Sequence, residues 1–511
     1  MKILFVASEG LPFSKTGGLA DVMEALPKSL VALGHEVAVL LPRYRNIHAV
    51  AVAVPSLTIP MGDSLRFPAI VDGGILRGVQ YFFVEDSEYF DREQLYGVAG
   101  KDYPDNAERF AEFCRAAIEF CKRVWMPEVI HCHDWQAGLV PVLLRTQYEK
   151  DGSVQDLPVV FTVHNMGYHG SFPRETMKKI GLPEELFAID AMEFYGHVNF
   201  LKGALTFADY LTTVSPKYAQ EIQTPEYGHG LEGVVRNRAA RLSGILNGVD
   251  YAAWSPEKDK AIASRYSAKD LSGKLACKKD LLDVFGLPPE AVNHPVIGIV
   301  SRFVSQKGFD LIEQIARELL NGDLAIVALG AGEAKHERVF RDLQGAYPRK
   351  ISVKVAYDNV LAHKIEAGAD IFLMPSRYEP CGLNQIYSLK YGTVPVVRAT
   401  GGLDDTVEEF DPETSRGTGF KFQAYDGESL LAALQKALAV FNNELAVWRR
   451  IQANGMAKDF SWRVSAIEYA RLYQVAWKSR NRKAARSSNQ AGAKSAKISP
   501  AASTGKGPHG R

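Results

Sequence analysis

Two cations, Arg302 and Lys307, stand five positions apart in SRFVSQKGFDL (301–311), directly after an apolar run that reads as a strand. In a strand-to-helix loop that spacing lets both converge on one anion. Arginine offers a planar fork of donors and lysine a mobile point charge. Further on, ATGGLDD (399–405) places Thr400, Gly401 and Gly402 at the opening of a helix at Leu403. Backbone N–H groups there favour an anion. The two stretches together suit a diphosphate held without a metal, since no D-x-D pair or cluster of His and carboxylate ligands accompanies them. Taken alone, Arg302 and Lys307 also fit a surface ion pair. Glu379 lies between Tyr378, Pro380 and Cys381 in PSRYEPCGLNQ (375–385), a tight and partly apolar loop. Its carboxylate can accept from sugar hydroxyls or stabilise positive charge developing on carbon; a solvated loop carboxylate is the plainer reading.

The first half of the chain carries matching clusters. LPFSKTGGLADV (11–22) runs from a buried strand into a helix, with Lys15 ahead of Gly17 and Gly18. This order is neither that of a Walker A loop nor that of a G-x-G-x-x-G dinucleotide turn. Asp134 in HCHDWQAG (131–138) reads as a helix cap or as a catalytic carboxylate. His164 in HNMGYHG (164–170) is either a satisfied strand-end histidine or a group facing substrate, and LNGVD (246–250) closes a further strand. Cys381 has no identifiable partner histidine nearby, which argues against a covalent nucleophile.

The elements that position these groups alternate. KILFVA (2–7), EVAVLL (36–41), EVIHCH (128–133), PVVFTVH (158–164), YLTTVS (210–215) and RLSGILNGV (241–249) read as strands or strand ends. Amphipathic stretches such as NAERFAEFCRAAIEFCKRVW lie between several of them. The pattern weakens from about 250 to 294 and restarts with PVIGIVSR (295–302), LAIVALG (324–330), KISVKVAY (350–357), DIFLMPS (370–376) and VPVV (394–397). Such alternation predicts an α/β chain with two doubly wound parallel-sheet lobes. Ligands of such sheets bind beyond the carboxyl ends of the strands, where HCHDWQAG, HNMGYHG, LNGVD, SRFVSQKGFDL, PSRYEPCGLNQ and ATGGLDD all fall, so the lobes are expected to share one cleft. The expected divisions are 1–250, 251–460, a helix at 461–478 packing back on the first lobe, and a basic disordered tail at 479–511.

Composition narrows the class. The 511 residues carry a formal net charge of +1, but nine Lys/Arg and no Asp/Glu follow from Lys478 onward, leaving a mildly acidic body. Nucleic-acid binding by that body is not expected. Five cysteines without a C-x-x-C pair argue against a disulfide framework or a zinc site and fit a reducing cytoplasm. No apolar run approaches the roughly 20 residues of a membrane helix, so no membrane partner is expected.

Read together, KTGGLADV, HDWQAG, VHNMGYHG, GILNGVD, SRFVSQKGFDLI and PSRYEPCGLNQIYSLKYGTVPVVRATGGLDDTV resemble the bacterial ADP-glucose-dependent glycogen synthases, kin of plant starch synthases. The resemblance spans about residues 1–478. It implies a GT-B fold, in which two Rossmann-like lobes close over a nucleotide sugar, and no cofactor or metal. It also implies retaining transfer of glucose from ADP-glucose to the non-reducing-end 4-OH of an α-1,4-glucan such as glycogen. By that resemblance Lys15, Gly17, Gly18 and Asp21 form a donor loop, and Arg302 and Lys307 hold the diphosphate. Glu379 faces the donor glucose, with Cys381, Gly382 and Leu383 around it, and Thr400, Gly401, Gly402 and Leu403 form a phosphate-binding helix start. His164 and Asn247 touch the transferred glucose, Asn165 belongs to the substrate-binding set, Asp134 lines the acceptor side, and Tyr357 stacks on adenine. Lys278 is the less certain match, with Lys279 its rival. The wider retaining GT-B set carries a second Glu where this chain has Tyr387, as the glycogen and starch synthase branch does. A glucan phosphorylase-like enzyme and a non-catalytic glucan-binding protein are the alternatives.

Overall fold

The computed structural model describes residues 1–98 and 100–495. Its two large sheets are built mostly from short apolar runs whose side chains are buried on both faces, as parallel strands between helical layers require. The first contains β1 (Lys2–Val6), β2 (Glu36–Pro42), β3 (Ala51–Val54), β4 (Ala69–Leu76), β5 (Val79–Glu85), β6 (Val129–His133), β7 (Val159–Val163), β8 (Tyr210–Thr213) and β9 (Leu242–Gly244). Their order across the sheet is 9-8-7-6-1-2-5-4-3. Strands from β9 through β5 run parallel, whereas β3 and β4 are antiparallel additions. The first lobe is therefore mixed rather than wholly parallel. The β3–β5 region escapes a pattern reading because β3 is largely exposed and the β4–β5 register shifts between Asp72 and Gly74, breaking the alternation.

The second sheet holds β10 (Val296–Val300), β11 (Ala325–Gly330), β12 (Ile351–Val355), β13 (Ile371–Met374), β14 (Val394–Arg398) and β15 (Phe420–Phe422), all parallel, in the order 12-11-10-13-14-15. This is the Rossmann order, with its crevice where the chain reverses direction between β10 and β13. The helix Phe309–Asn321 shows why these lobes close on themselves. Phe309, Leu311, Ile312, Ile315, Ala316, Leu319 and Leu320 form one buried stripe over the sheet, opposite a charged face.

The chain passes from the first lobe to the second near residue 250 and comes back near 460. The two passages lie side by side, with the Val249 N–H donating to Phe460 O at 2.8 Å. Beyond them the helix Trp462–Ser495 lays Trp462, Ala466, Tyr469, Ala470, Tyr473 and Ala476 into the first lobe's core. Tyr473 OH meets His131 Nδ1 at 2.7 Å. The segment from 479, expected to be disordered, is helical through Ser495; the rest of that tail lies outside the described residues. Composition misleads here because Ala, Lys, Arg and Gln are strong helix formers, and a helix already anchored by packing needs no new nucleus to continue. Among the described residues no helix is long and apolar enough to cross a membrane.

Inside the second lobe Glu366 is 1% exposed, and neither carboxylate oxygen has a hydrogen-bond partner. Burial pushes this carboxyl well above its ordinary range, and nearby Lys274 offsets that only in part. A raised folded-state pKa stabilises the fold fully below the unfolded carboxyl's pKa, and that contribution fades as pH rises through the folded value. Glu366→Gln is therefore expected to gain on the parent as pH goes from about 5 to about 8, by at most about 1.4 kcal/mol per pH unit. Melting curves that stay parallel across that range would refute the assignment.

Candidate functional site

On the second lobe the site is built from three loops at the carboxyl ends of β10, β13 and β14. Arg302 follows β10, exposed, and its guanidinium has no partner among the described residues. Lys307 ends a short turn and is followed by Gly308 at φ +75°. A Cβ at Gly308 would lie 2.0 Å from the Pro375 carbonyl oxygen, so glycine alone lets the Lys307 loop press against the loop that leaves β13. That contact brings Lys307 Nζ to 2.5 Å from Glu379 Oε2, with both side chains largely buried. The Ser376 hydroxyl donates to the same oxygen at 3.1 Å, and Gln306 Nε2 donates to Tyr378 O at 3.1 Å. One cation is thus neutralised by Glu379 and the other is free.

The Thr400–Leu403 stretch has a different part from the one expected. A Cβ at Gly401 would meet Glu379 O at 1.9 Å and one at Gly402 would meet Cys381 O at 2.0 Å. These glycines therefore dock the Glu379 loop. Their donors are already engaged. The Gly402 N–H donates to Glu379 O at 3.1 Å, and the Gly401 N–H and Thr400 hydroxyl donate to the Glu221 carboxylate of the first lobe at 3.0 and 3.1 Å. Leu403 is wholly buried in the second lobe's core. No open anion site is left at that helix start. Open donors stand instead at the helix Asn384–Tyr391, where Gly382 turns at φ +73° and the N–H groups of Leu383 and Asn384 meet no acceptor among the described residues. Asn384 Nδ2 donates to Val300 O at 2.7 Å, which ties this start to the end of β10 beside Arg302.

The first lobe supplies the opposite wall. The loop after β1 is held by Glu9, a buried carboxylate that accepts from the Thr16 N–H at 2.5 Å and the Thr16 hydroxyl at 2.8 Å. Lys15 Nζ pairs with Asp21 at 2.6 Å. Gly17 is extended at φ −148°, and a Cβ at Gly18 would meet nothing within 4 Å. The chain itself makes no steric demand for glycine at 18. After β6, Asp134 adopts φ +56° and ψ 178°, a region populated almost only by glycine. Its side chain caps no helix; it accepts from the His164 N–H at 2.8 Å. Burial pushes this carboxyl up to about 7 and holds the His164 imidazole down to about 3. His164 Nε2 lies 3.0 Å from His133 Nδ1. Asn247 is buried with Oδ1 unpartnered, and its backbone N–H points at the Cys381 sulfur. Asn165 accepts from the Gly167 N–H at 2.9 Å, and its side chain reaches Tyr378 of the other lobe.

Contacts across the cleft thus join Asn247 to Cys381, Asn165 to Tyr378 and Glu221 to Thr400 and Gly401. Of the residues singled out from sequence, Lys278 falls elsewhere. It is buried, with Nζ 2.7 Å from Asp370 and 2.6 Å from His294 O, at the amino ends of β10 and β13. The length of β10, about 16 Å, separates that ion pair from Arg302. Lys278 is a structural cation, and its rival Lys279 is exposed. Tyr357, just past β12, is 88% exposed. Burial raises the Cys381 thiol to about 12 and keeps it protonated. Glu9 and Glu221 escape a sequence reading because isolated glutamates carry no spacing signal. The one available hint, the S/T-rich order of SEGLPFSKT, does not say which group Glu9 holds.

Two Rossmann-type sheets whose carboxyl strand ends face one another have the architecture of the GT-B glycosyltransferases. Residues 2–237 match the family model described as the starch synthase catalytic domain, and residues 288–446 match glycosyl transferases group 1. The chain is 57% identical over 478 residues to a glycogen synthase of Koribacter versatilis, covering 93% of this chain and 98% of that one. It is 48% identical to a glycogen synthase of an Anaeromyxobacter species, covering 93% and 99%. The catalytic domain of starch synthase IV from Arabidopsis thaliana, solved bound to ADP and acarbose, superposes with a TM-score of 0.84 at 33% identity, covering 93% and 99%. A sucrose-phosphate synthase from Thermosynechococcus elongatus shares the fold, with a TM-score of 0.60 at 18% identity over 94% and 99%. The chain belongs to the bacterial glycogen synthase and starch synthase family.

The strain at Asp134 gives a test of why a carboxylate is kept there. Asp134→Gly relieves about 1–3 kcal/mol of backbone strain and loses one buried hydrogen bond of about 1–3 kcal/mol, so the two oppose and stability should change by no more than about 2 kcal/mol in either direction. Glucosyl transfer should nevertheless fall by at least about a hundredfold, as for loss of a positioned catalytic group. A stabilised variant that keeps parental turnover would make Asp134 purely structural.

Proposed function

We propose that this chain transfers glucose from ADP-glucose to the non-reducing-end 4-OH of an α-1,4-glucan such as glycogen, with retention at C1 and release of ADP. The observation that carries this reading is the pairing of Lys307 with Glu379 beside a free Arg302 and the open helix start at Asn384. This is a cation-rich, hydrogen-bond-donating end for a diphosphate, set against a carboxylate suited to a sugar. Lys15, paired with Asp21, is a further lysine on the opposite lobe that can turn to a phosphate, and the open space beside Gly18 leaves room for a ligand's close approach. The basic set offsets charge on the departing diphosphate as the C1–O bond breaks. Lys307 then exchanges its bond with Glu379 for one with phosphate, leaving the carboxylate to the glucose hydroxyls and the oxocarbenium-like carbon.

The groups facing C1 from the first lobe suit an uncharged role. His164 is neutral at physiological pH and hydrogen-bonds without competing for the diphosphate. The unpartnered Asn247 Oδ1 is a ready acceptor for a sugar hydroxyl. Among the described residues no carboxylate stands as a clear nucleophile, so the acceptor oxygen attacks C1 on the face the diphosphate leaves. The hydroxyl proton passes to the departing phosphate oxygen, which accounts for every atom without a covalent intermediate. Closure of the lobes keeps water from taking the glucosyl group.

Incubation with glycogen and radiolabelled ADP-glucose or UDP-glucose tests the reading directly. Label is expected in glycogen from ADP-glucose, with a lower rate from UDP-glucose. Arg302→Ala and Lys307→Ala should each lower kcat by about a hundred- to a thousandfold, with a smaller change in the KM for acceptor. Near-parental turnover in Lys307→Ala would remove it from the leaving-group site.

A further inference from the structure

Two strained residues meet at the outer rim of the first lobe's wall. A hairpin pairs Glu193–Phe194 with His197–Asn199, and its two-residue turn is Tyr195–Gly196, both at positive φ (+48° and +81°). Such turns ordinarily take Asn, Asp or Gly at the first position. A tyrosine held there, 81% exposed and packed on one side only, is strain without any benefit to the core. His229–Gly230 repeats the pattern at φ +51° and +85°. The two turns touch, since a Cβ at Gly230 would lie 3.1 Å from Phe194 Cζ and 3.4 Å from Tyr195 Cε2.

Both strained positions put rings on one line. Tyr378, next to Glu379, packs on His229 with centroids 6.0 Å apart; His229 packs on His169 at 6.2 Å, His169 on Phe194 at 5.2 Å, and Phe194 on Tyr195 at 4.7 Å. The line starts at the sugar end of the cleft and runs to the surface. Exposed Tyr168 and Ile189 belong to the same region of the first lobe's chain. Burial lowers both histidines below their ordinary pKa, so they are uncharged at neutral pH.

We propose that this aromatic line is the exit track of the acceptor glucan, with Tyr195 as its outermost stacking platform. The inference rests on the proposed transfer to a glucan. Glucose rings in an α-1,4-glucan present apolar C–H faces and polar edges. A neutral row of rings with hydrogen-bonding histidines between them matches both. The occupant is argued from continuity, because a chain whose non-reducing end meets the glucose held at Glu379 must leave the cleft somewhere, and this line begins one residue away. Turn strain at Tyr195 and His229 is the cost of aiming rings outward, where a glucan several units long meets them and a short acceptor does not.

Tyr195→Gly tests the track without endangering the fold, because glycine relieves the positive φ. Its melting temperature should equal or exceed the parent's. Retardation in native gels containing glycogen, with no nucleotide sugar present, reads binding; initial rates with maltotriose and with glycogen read use of the acceptor. Tyr195→Gly is expected to weaken retardation and to raise the KM for glycogen about five- to tenfold, with a distinctly smaller change for maltotriose. Tyr195→Phe and Tyr195→Trp should stay close to the parent. Equal retardation of Tyr195→Gly and parent overturns the track, as do equal losses on both acceptors; the first result would leave Tyr195 to a protein partner. Because the gel needs no donor, failure to transfer from ADP-glucose would count against the proposed function while retardation still decides the track.

Discussion

Three carbonyl oxygens, those of Pro375, Glu379 and Cys381, occupy the volume that a Cβ would take at Gly308, Gly401 and Gly402. The second half of the site hangs on that constraint. It sets the Glu379 loop between the Lys307 loop on one side and the Gly401 helix start on the other. Main chain lies against main chain at distances no side-chain repacking can reproduce. Lys307 and Glu379 then meet without either having to reach. Position comes from backbone contact, which leaves the side chains free to change partners when a ligand arrives.

The same economy explains the charges. A lysine and a glutamate held 2.5 Å apart in a largely buried setting satisfy one another, so neither carries an uncompensated desolvation cost. Glu221 does for the Gly401 helix start what Glu379 does for Lys307: it fills an electropositive position from across the cleft. Arg302 and the start at Asn384 are left unfilled. They sit together at the end of β10, joined through the Asn384–Val300 hydrogen bond, where the proposed reading places the diphosphate.

Much of this was legible in the sequence. Strands such as VIGIV and VVFTV declare themselves by unbroken apolar runs, and the polar clusters at their ends mark a cleft before any geometry is known. Periodicity does not reveal which donors are already used. TGGLDD looks like an anion site because glycines open a helix there, yet those glycines serve close carbonyl contacts, and their N–H groups are spent on Glu221 and the Glu379 loop. CKKD likewise offers two lysines, and only the sheet's direction shows that Lys278 points to the amino ends of the strands. Antiparallel β3 and β4 hide behind a register shift. Tertiary partners, not local preference, decide each of these cases.

The two walls differ in how they hold strain, and the difference fits what each is proposed to bind. On the second lobe the left-handed positions around the site are glycines: Gly308, Gly382 and Gly401. A backbone without side chains brings N–H groups and helix starts close to phosphate, which is recognised by charge and donors rather than by shape. On the first lobe Asp134, Tyr195 and His229 take positive φ with full side chains. Glycine would be easier at every one of them, so the side chain is what the strain preserves. A carboxylate held on the wall opposite Glu379 and rings aimed along its rim are features for reading a sugar chain, whose hydroxyl edges and apolar faces a bare backbone cannot distinguish. Backbone recognition on one lobe and strained side-chain recognition on the other divide a transfer reaction into its donor and acceptor halves.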